Sequence, residues 1–120
     1  MLSNEAQVLS ELLVTNGLTI SVAESCTGGS LSHAITRIPG ASSYFDCGFI
    51  TYSNQSKVKM LGVDAQTIKT YGAVSEEVAL EMVIGVAKKS QSDVAISITG
   101  VAGPTGGTSE KPVGLSLIHI

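Results

Sequence analysis

Two spacings of apolar residues alternate along this chain: recurrence every three to four positions, which marks one face of a helix, and short β-branched runs, which mark strands. Val8, Leu9, Leu12 and Leu13 recur at helical spacing before Asn16-Gly17, predicting a first helix that covers one face of a sheet, with Asn4 and Gln7 as its reciprocal cap. The run Thr19-Ile20-Ser21-Val22-Ala23 predicts a strand. Leu31, Ala34, Ile35 and Ile38 then predict a helix from about Thr27 to Arg37, stopped by Ile38-Pro39-Gly40-Ala41. Tyr44 to Tyr52 is aromatic and β-branched enough for a second strand, within which Gly48 marks a bulge or a close backbone approach.

Ser53 or Asn54 caps a short helix carrying Lys57, Val58, Met60 and Leu61, ended by Gly62, and Asp64 to Tyr71 reads as a brief helical turn. Ser75 caps the clearest helix. Glu76 and Glu77 lie in its first turn and Lys88 and Lys89 in its last, each where the helix dipole favours that charge. Val78, Met82, Val83 and Val86 supply its buried face, and Ala79 and Gly85 allow close packing. Asp93 to Thr99 reads as a buried strand running into the glycine-rich loop Gly100 to Thr108, and Lys111-Pro112-Val113-Gly114 begins a last strand. Strands alternating with helices predict an α/β layered domain whose ligand site lies outside the carboxyl ends of the strands.

The 120 residues fit a single domain, 1–120, with no internal repeat. Charged residues make up 14% of the chain, against roughly 25% in an average soluble protein, so much of the sequence is interior or interface. That balance and the apolar helix faces fit a homo-oligomer, with a dimer favoured. The net charge is −3 and no Lys/Arg stripe could track a phosphate backbone, which argues against nucleic acid. No apolar run reaches membrane-spanning length and the N-terminus lacks signal-peptide regions, so the expectation is a cytoplasmic protein with no membrane partner. Cys26 and Cys47 lack metal-ligand spacing and read as free thiols; no metal is expected.

The chemistry concentrates in Ala23-Glu24-Ser25-Cys26-Thr27-Gly28-Gly29, a hydroxyl- and glycine-rich turn between a strand and a helix. N–H groups and hydroxyls converge at such a turn, where an anion or a developing oxyanion is favoured. Ser25 is a candidate nucleophile. His33 within a helix and His119 at the terminus are poor bases for it, leaving a lysine, Lys57, with Tyr52 to relay a proton or donate to a substrate. N–H groups at Cys26 to Gly28 would hold the oxyanion, a contribution worth about 3 to 4 kcal/mol. Ser25, Thr27, Tyr52, Lys57 and the Thr99–Thr108 loop share one pocket if three strand ends line one edge. The competing reading stays open: Ser25 and Thr27 cap a helix, Lys57 is one solvated lysine beside Lys59, and Tyr52 is a half-buried strand residue.

Several blocks nonetheless resemble one family: Ala23 to Gly29, Thr51 to Asn54 with Lys57, Leu61-Gly62-Val63, Tyr71 to Ala79, and Thr99 to Pro104 with Glu110 to Gly114. In order and spacing, from about Asn4 to Gly114, they resemble the CinA C-terminal domain family, whose members include stand-alone nicotinamide mononucleotide deamidases. The resemblance implies a three-layer α/β/α sandwich with a central mixed, mainly parallel sheet. It also implies hydrolysis of the carboxamide of nicotinamide mononucleotide to nicotinate mononucleotide and ammonia, with no cofactor and no metal. Ser25 would be the nucleophile, Lys57 its base and Tyr52 their support. Substrate contacts would come from Glu24, Cys26, Thr27, Gly28, Gly29, Asn54, Thr99, Gly100 and Gly103. The same domain also occurs fused behind another domain, so a non-catalytic nucleotide-binding regulatory or scaffold module is the alternative.

Two departures from the family pattern stand out. Thr105 replaces a usual glycine in the loop, which stiffens it. Family members continue into a further loop and helix carrying arginine, the natural partner of a phosphate, whereas this sequence stops at Ile120. Residues 115–120, Leu-Ser-Leu-Ile-His-Ile, back-translate to CTG-TCT-CTT-ATA-CAC-ATC, which resembles the end of a transposon adapter; the expectation is a non-native tail on a shortened domain.

Overall fold

The computed structural model describes residues 2–120. Helix α1 (Leu2–Asn16) leads into strand β1 (Ile20–Glu24), followed by α2 (Ser30–Thr36), a 3-10 turn at Ala41–Ser43 and β2 (Phe45–Ile50). Three helices come next, α3 (Asn54–Leu61), α4 (Ala65–Tyr71) and α5 (Glu76–Ser90), and then β3 (Val94–Gly100) and β4 (Ser116–His119). The strands form one sheet in the order β2-β1-β3-β4, with β1 parallel to both β2 and β3, and β4 antiparallel to β3. Helices pack on both faces, which makes the three-layer α/β/α sandwich with a mixed, mainly parallel sheet that the family blocks imply.

The period of two along β1 divides the interior. Ile20 and Val22 join Leu13, Ile35, Ala41 and Tyr44 in a core under α1 and α2. Ala23 joins Leu61, Val63, Val78, Met82 and Val86 in a second core under α3 and α5. β1 is buried along its whole length because it is central and covered on both sides.

Ser75 caps α5, its Oγ accepting from Val78 N–H at 3.2 Å, and the predicted Val78, Met82, Val83 and Val86 are all buried. Gly48 shows both features its position predicts. The β1–β2 register slips between Ile20 and Val22, and a Cβ at Gly48 would lie 2.7 Å from Ser32 Oγ.

Four expectations are corrected. Asn4 does not cap α1: the helix already starts at Leu2, and the Gln7 amide donates to Glu11 at 3.2 Å. Of the proposed α1 face, Leu13 is buried and Leu9 packs beside it, while Val8 and Leu12 are exposed, because a helix of this length presents only a narrow stripe to the sheet. Helix α2 starts at Ser30 rather than Thr27, since Gly28 and Gly29, at φ 59° and 110°, hold the chain out of helix. The last strand begins at Ser116, not Lys111: Pro112 lacks an N–H for the ladder and Gly114 turns at φ 93°.

Gly85 decides how closely α3 sits on α5, because a Cβ there would run into the Leu61 carbonyl oxygen. Gly85→Ala is expected to destabilise the domain by about 1–3 kcal/mol, read as a lowered urea midpoint at unchanged m-value.

Candidate functional site

The alternation that divides the core also separates two neighbouring side chains at the end of β1. Glu24 follows Ile20 and Val22 to the α2 side; Ser25 follows Ala23 to the α3 side. Glu24 is fully buried, and its carboxylate is enclosed by donors. One oxygen accepts from the Thr27 hydroxyl at 2.7 Å and from the N–H groups of Leu31 at 2.9 Å and Gly29 at 3.2 Å. The other accepts from Ser32 N–H at 2.8 Å and the Ser32 hydroxyl at 2.6 Å. Burial pushes the carboxyl pKa up, but the hydrogen bonds from Ser32, Thr27 and Leu31 outweigh it and hold Glu24 below the ordinary carboxylate value. The anion at the start of α2 is thus a side chain of the protein itself. Glu24, Thr27, Gly28 and Gly29 build the turn under Ser25 and do not line the cleft described below.

Ser25 is held at the sheet edge by its N–H, which donates to Ile98 O at 3.0 Å. Lys57 reaches it from α3. Ser53 caps that helix, accepting from Ser56 N–H at 3.0 Å, and Gly62 closes it in a left-handed turn, so the buried face carries Lys57 and Leu61. Lys57 is only 1% exposed. Its Nζ lies 2.7 Å from Ser25 Oγ and donates to the carbonyls of Thr51 at 2.8 Å and Tyr52 at 3.1 Å. None of these partners is a carboxylate. Burial lowers the Lys57 pKa below the ordinary lysine value, and the nearby Cys26 sulfur opposes this more weakly. Nζ therefore has three oxygen neighbours, two carbonyls and the serine hydroxyl, and burial weakens its hold on a proton with no carboxylate to restore it.

Ser25, Cys26 and Lys57 open into a cleft of about 380 Å³ at the carboxyl ends of β1 and β3. Tyr52 and Asn54 border it on one side, Ala73 and Val74 of the α4–α5 connection on another, and Thr99 to Gly103 with Thr105 on a third. Tyr52 is 66% exposed, and its main-chain carbonyl, not its phenol, touches Lys57. Thr99 is buried and donates its hydroxyl to Ala73 O at 2.8 Å, bracing two walls together. Gly100 is required by close approach, since a Cβ would strike Leu115 O and come within 3.2 Å of Cys26 Sγ. Gly28 N–H donates back to Ser25 O at 3.1 Å and is therefore committed to the turn. The N–H groups of Cys26 and Thr27 have no acceptor among the described residues, and of these two residues Cys26 lines the cleft.

A larger hollow of about 520 Å³ between α3 and α4 contains no nucleophile next to a base, so chemistry and not volume selects the first cleft. Sequence reasoning missed Ala73 and Val74 as cleft wall. The signal was a short apolar pair between Gly72 and the Ser75 cap, too brief for an element of its own.

The CinA C-terminal domain model matches residues 2–120. This chain belongs to the CinA C-terminal domain family. It is 58% identical over 114 residues to a putative competence-damage inducible protein of Caldicellulosiruptor saccharolyticus, covering 95% of this chain and 28% of that protein. It is 54% identical to a CinA-like protein of Chloroherpeton thalassium, covering 93% of this chain and 27% of that one. The chain thus spans about a quarter of the length of these curated relatives. Among solved structures, the competence/damage inducible protein CihA of Agrobacterium tumefaciens superposes with a TM-score of 0.95 at 44% identity, covering 98% of this chain and 71% of that one. A CinA superfamily protein of Escherichia coli gives 0.92 at 38% identity, covering all of this chain and 71% of its own. Among the described residues no helix is long and apolar enough to cross a membrane.

Glu24 makes this CinA domain acid-sensitive in a definite direction. A carboxyl whose folded pKa is depressed contributes stability above its unfolded value and loses it as pH falls through the folded value. Glu24→Gln places an amide NH2 against donors and is expected to lower the melting temperature at neutral pH. It also flattens the fall in melting temperature on acidification below the ordinary carboxyl value of 4.5.

Proposed function

We propose that this domain hydrolyses the carboxamide of nicotinamide mononucleotide, giving nicotinate mononucleotide and ammonia, with Ser25 as nucleophile and Lys57 as base. The supporting observation is the 2.7 Å approach of a buried lysine amine, unpaired with any carboxylate, to a serine hydroxyl that opens into a cleft. The substrate is the one the family blocks imply, and a cleft of about 380 Å³ is in the range of small-molecule sites.

The chemistry closes without a metal. As Ser25 Oγ attacks the carboxamide carbon, its proton passes to Lys57 Nζ, and the carbonyl oxygen becomes an oxyanion that the Cys26 N–H can meet. The Lys57 ammonium then gives that proton to the departing nitrogen, the C–N bond breaks and ammonia leaves an acyl ester on Ser25. Water then attacks the ester carbon as Lys57 takes its proton, the bond to Ser25 Oγ breaks, the serine oxygen recovers that proton from Lys57, and nicotinate mononucleotide leaves as its carboxylate with loss of the remaining acid proton to solvent. Lys57 suits both roles because removing its charge is favoured by burial, while the carbonyls of Thr51 and Tyr52 hold the amine on target in either state. Tyr52 offers its exposed phenol to the substrate, and Asn54, Thr99, Gly100 and Gly103 border the nucleotide.

Ammonia release from nicotinamide mononucleotide tests this directly. Ser25→Ala is expected to lower kcat/KM by about a thousandfold or more, and Lys57→Met by about 10²–10⁴-fold, with both variants folded. Near-normal release by Ser25→Ala would eliminate the covalent route. Because the base must be neutral, kcat/KM rises with pH through the lowered pKa of Lys57 and then levels, so the midpoint of that limb falls below the ordinary lysine value of 10.5. A limb that persists in Lys57→Met would assign the titration to another group.

A further inference from the structure

The loop of residues 101–115 is closed on itself. Val101 N–H donates to Leu115 O at 2.9 Å and Gly114 N–H to Val101 O at 2.7 Å. Thr108 N–H donates to Lys111 O at 2.8 Å, and Lys111 N–H returns to Thr108 Oγ1 at 2.9 Å. Val113, though partly open to solvent, packs against two loop glycines: a Cβ at Gly103 would strike its side chain, and one at Gly107 would come within 2.8 Å of it. A loop packed by its own side chain moves as a unit.

From this unit the Lys111 side chain reaches the end of α4, just ahead of the segment that forms the opposite wall of the cleft, where its Nζ donates to Tyr71 O at 2.8 Å. Tyr71 is the last residue of α4, so its carbonyl has no acceptor role within the helix, and Gly72 N–H closes the helix on Ile68 O instead. Gly72 leaves room for the amine, since a Cβ there would lie 3.1 Å from Nζ. The next two residues are Ala73 and Val74, which line the cleft. Lys111 therefore joins the two segments that face each other across the substrate space, beside the Thr99 to Ala73 bond that already braces them.

We propose that Lys111 is a positioning residue for the reaction: by tying the glycine-rich loop to the α4–α5 connection, it sets the width of the cleft before substrate arrives. This rests on the deamidase reading of the site. Without the tie the substrate must order the loop as it binds, and that cost falls on binding rather than on the bond-making step at Ser25 and Lys57.

Lys111→Met is expected to raise KM for nicotinamide mononucleotide by about tenfold, with kcat changed less than about threefold and the pH limb unmoved, and Lys111→Arg to recover most of the loss. A second measurement needs no activity: cleavage by a Glu-specific protease at the exposed Glu110 in the loop should be about tenfold faster in Lys111→Met at unchanged melting temperature. Unchanged KM together with unchanged cleavage overturns the proposal. A fall in kcat with a displaced pH limb also overturns it, because the residue would then act on Lys57. If the wild-type protein releases no ammonia the deamidase reading fails, while the cleavage comparison still decides whether Lys111 holds the loop.

Discussion

The site depends on a lysine amine removed from water with no carboxylate to neutralise it. Such a group is costly to bury charged, so its surroundings shift Lys57 toward the amine relative to a lysine in water. The fold supplies the alternative partners: two main-chain carbonyls that follow β2, and a hydroxyl at the end of β1. A strand end, the turn after a neighbouring strand and one face of α3 must therefore meet at a single nitrogen. Leu61, on the same face of α3, is part of the core under α5, so apolar packing that holds the helix down also keeps Lys57 out of solvent.

Glu24 is the opposite case, a buried charge that stays charged. It lies one residue before Ser25, and the period of the strand turns it to the other face of the sheet. Five donors from the turn and the start of α2 surround it. Were the two groups on one face, Glu24 would pair with Lys57 and favour its ammonium form. The alternation of a β-strand thus keeps the Glu24 carboxylate and the Lys57 amine on opposite faces although both lie close to the Ser25 turn in space. Gly48 contributes to this from β2, because its missing side chain makes room for the Ser32 hydroxyl that bonds Glu24.

The glycines around the cleft act mainly through clearance. Gly100 lets the chain pass Leu115 and Cys26, Gly103 and Gly107 admit Val113, and Gly85 lets α5 meet the end of α3. The loop that borders the cleft is consequently packed and hydrogen-bonded, with Lys111 attaching it to the end of α4 and Thr99, in β3, bonding Ala73 beside it. This is a cleft largely shaped by the protein's own contacts.

By itself the sequence determined the element order, the layered α/β class and the cap at Ser75, and narrowed the cap of α3 to Ser53 or Asn54, because these follow from periodicity and local hydrogen bonding over a few residues. It also singled out Ser25, Tyr52 and Lys57, through chemistry and family resemblance. Only the tertiary structure decided that Lys57 is buried against Ser25, which are 32 positions apart, and that Tyr52 touches the lysine through its backbone. Likewise, Thr27, Gly28 and Gly29 read as an anion-binding turn from their local pattern, yet Glu24 satisfies that turn from within. Local pattern states what a segment can bind; which group reaches it depends on strand parity and on contacts between distant elements, and spacing along the chain carries no record of those distances.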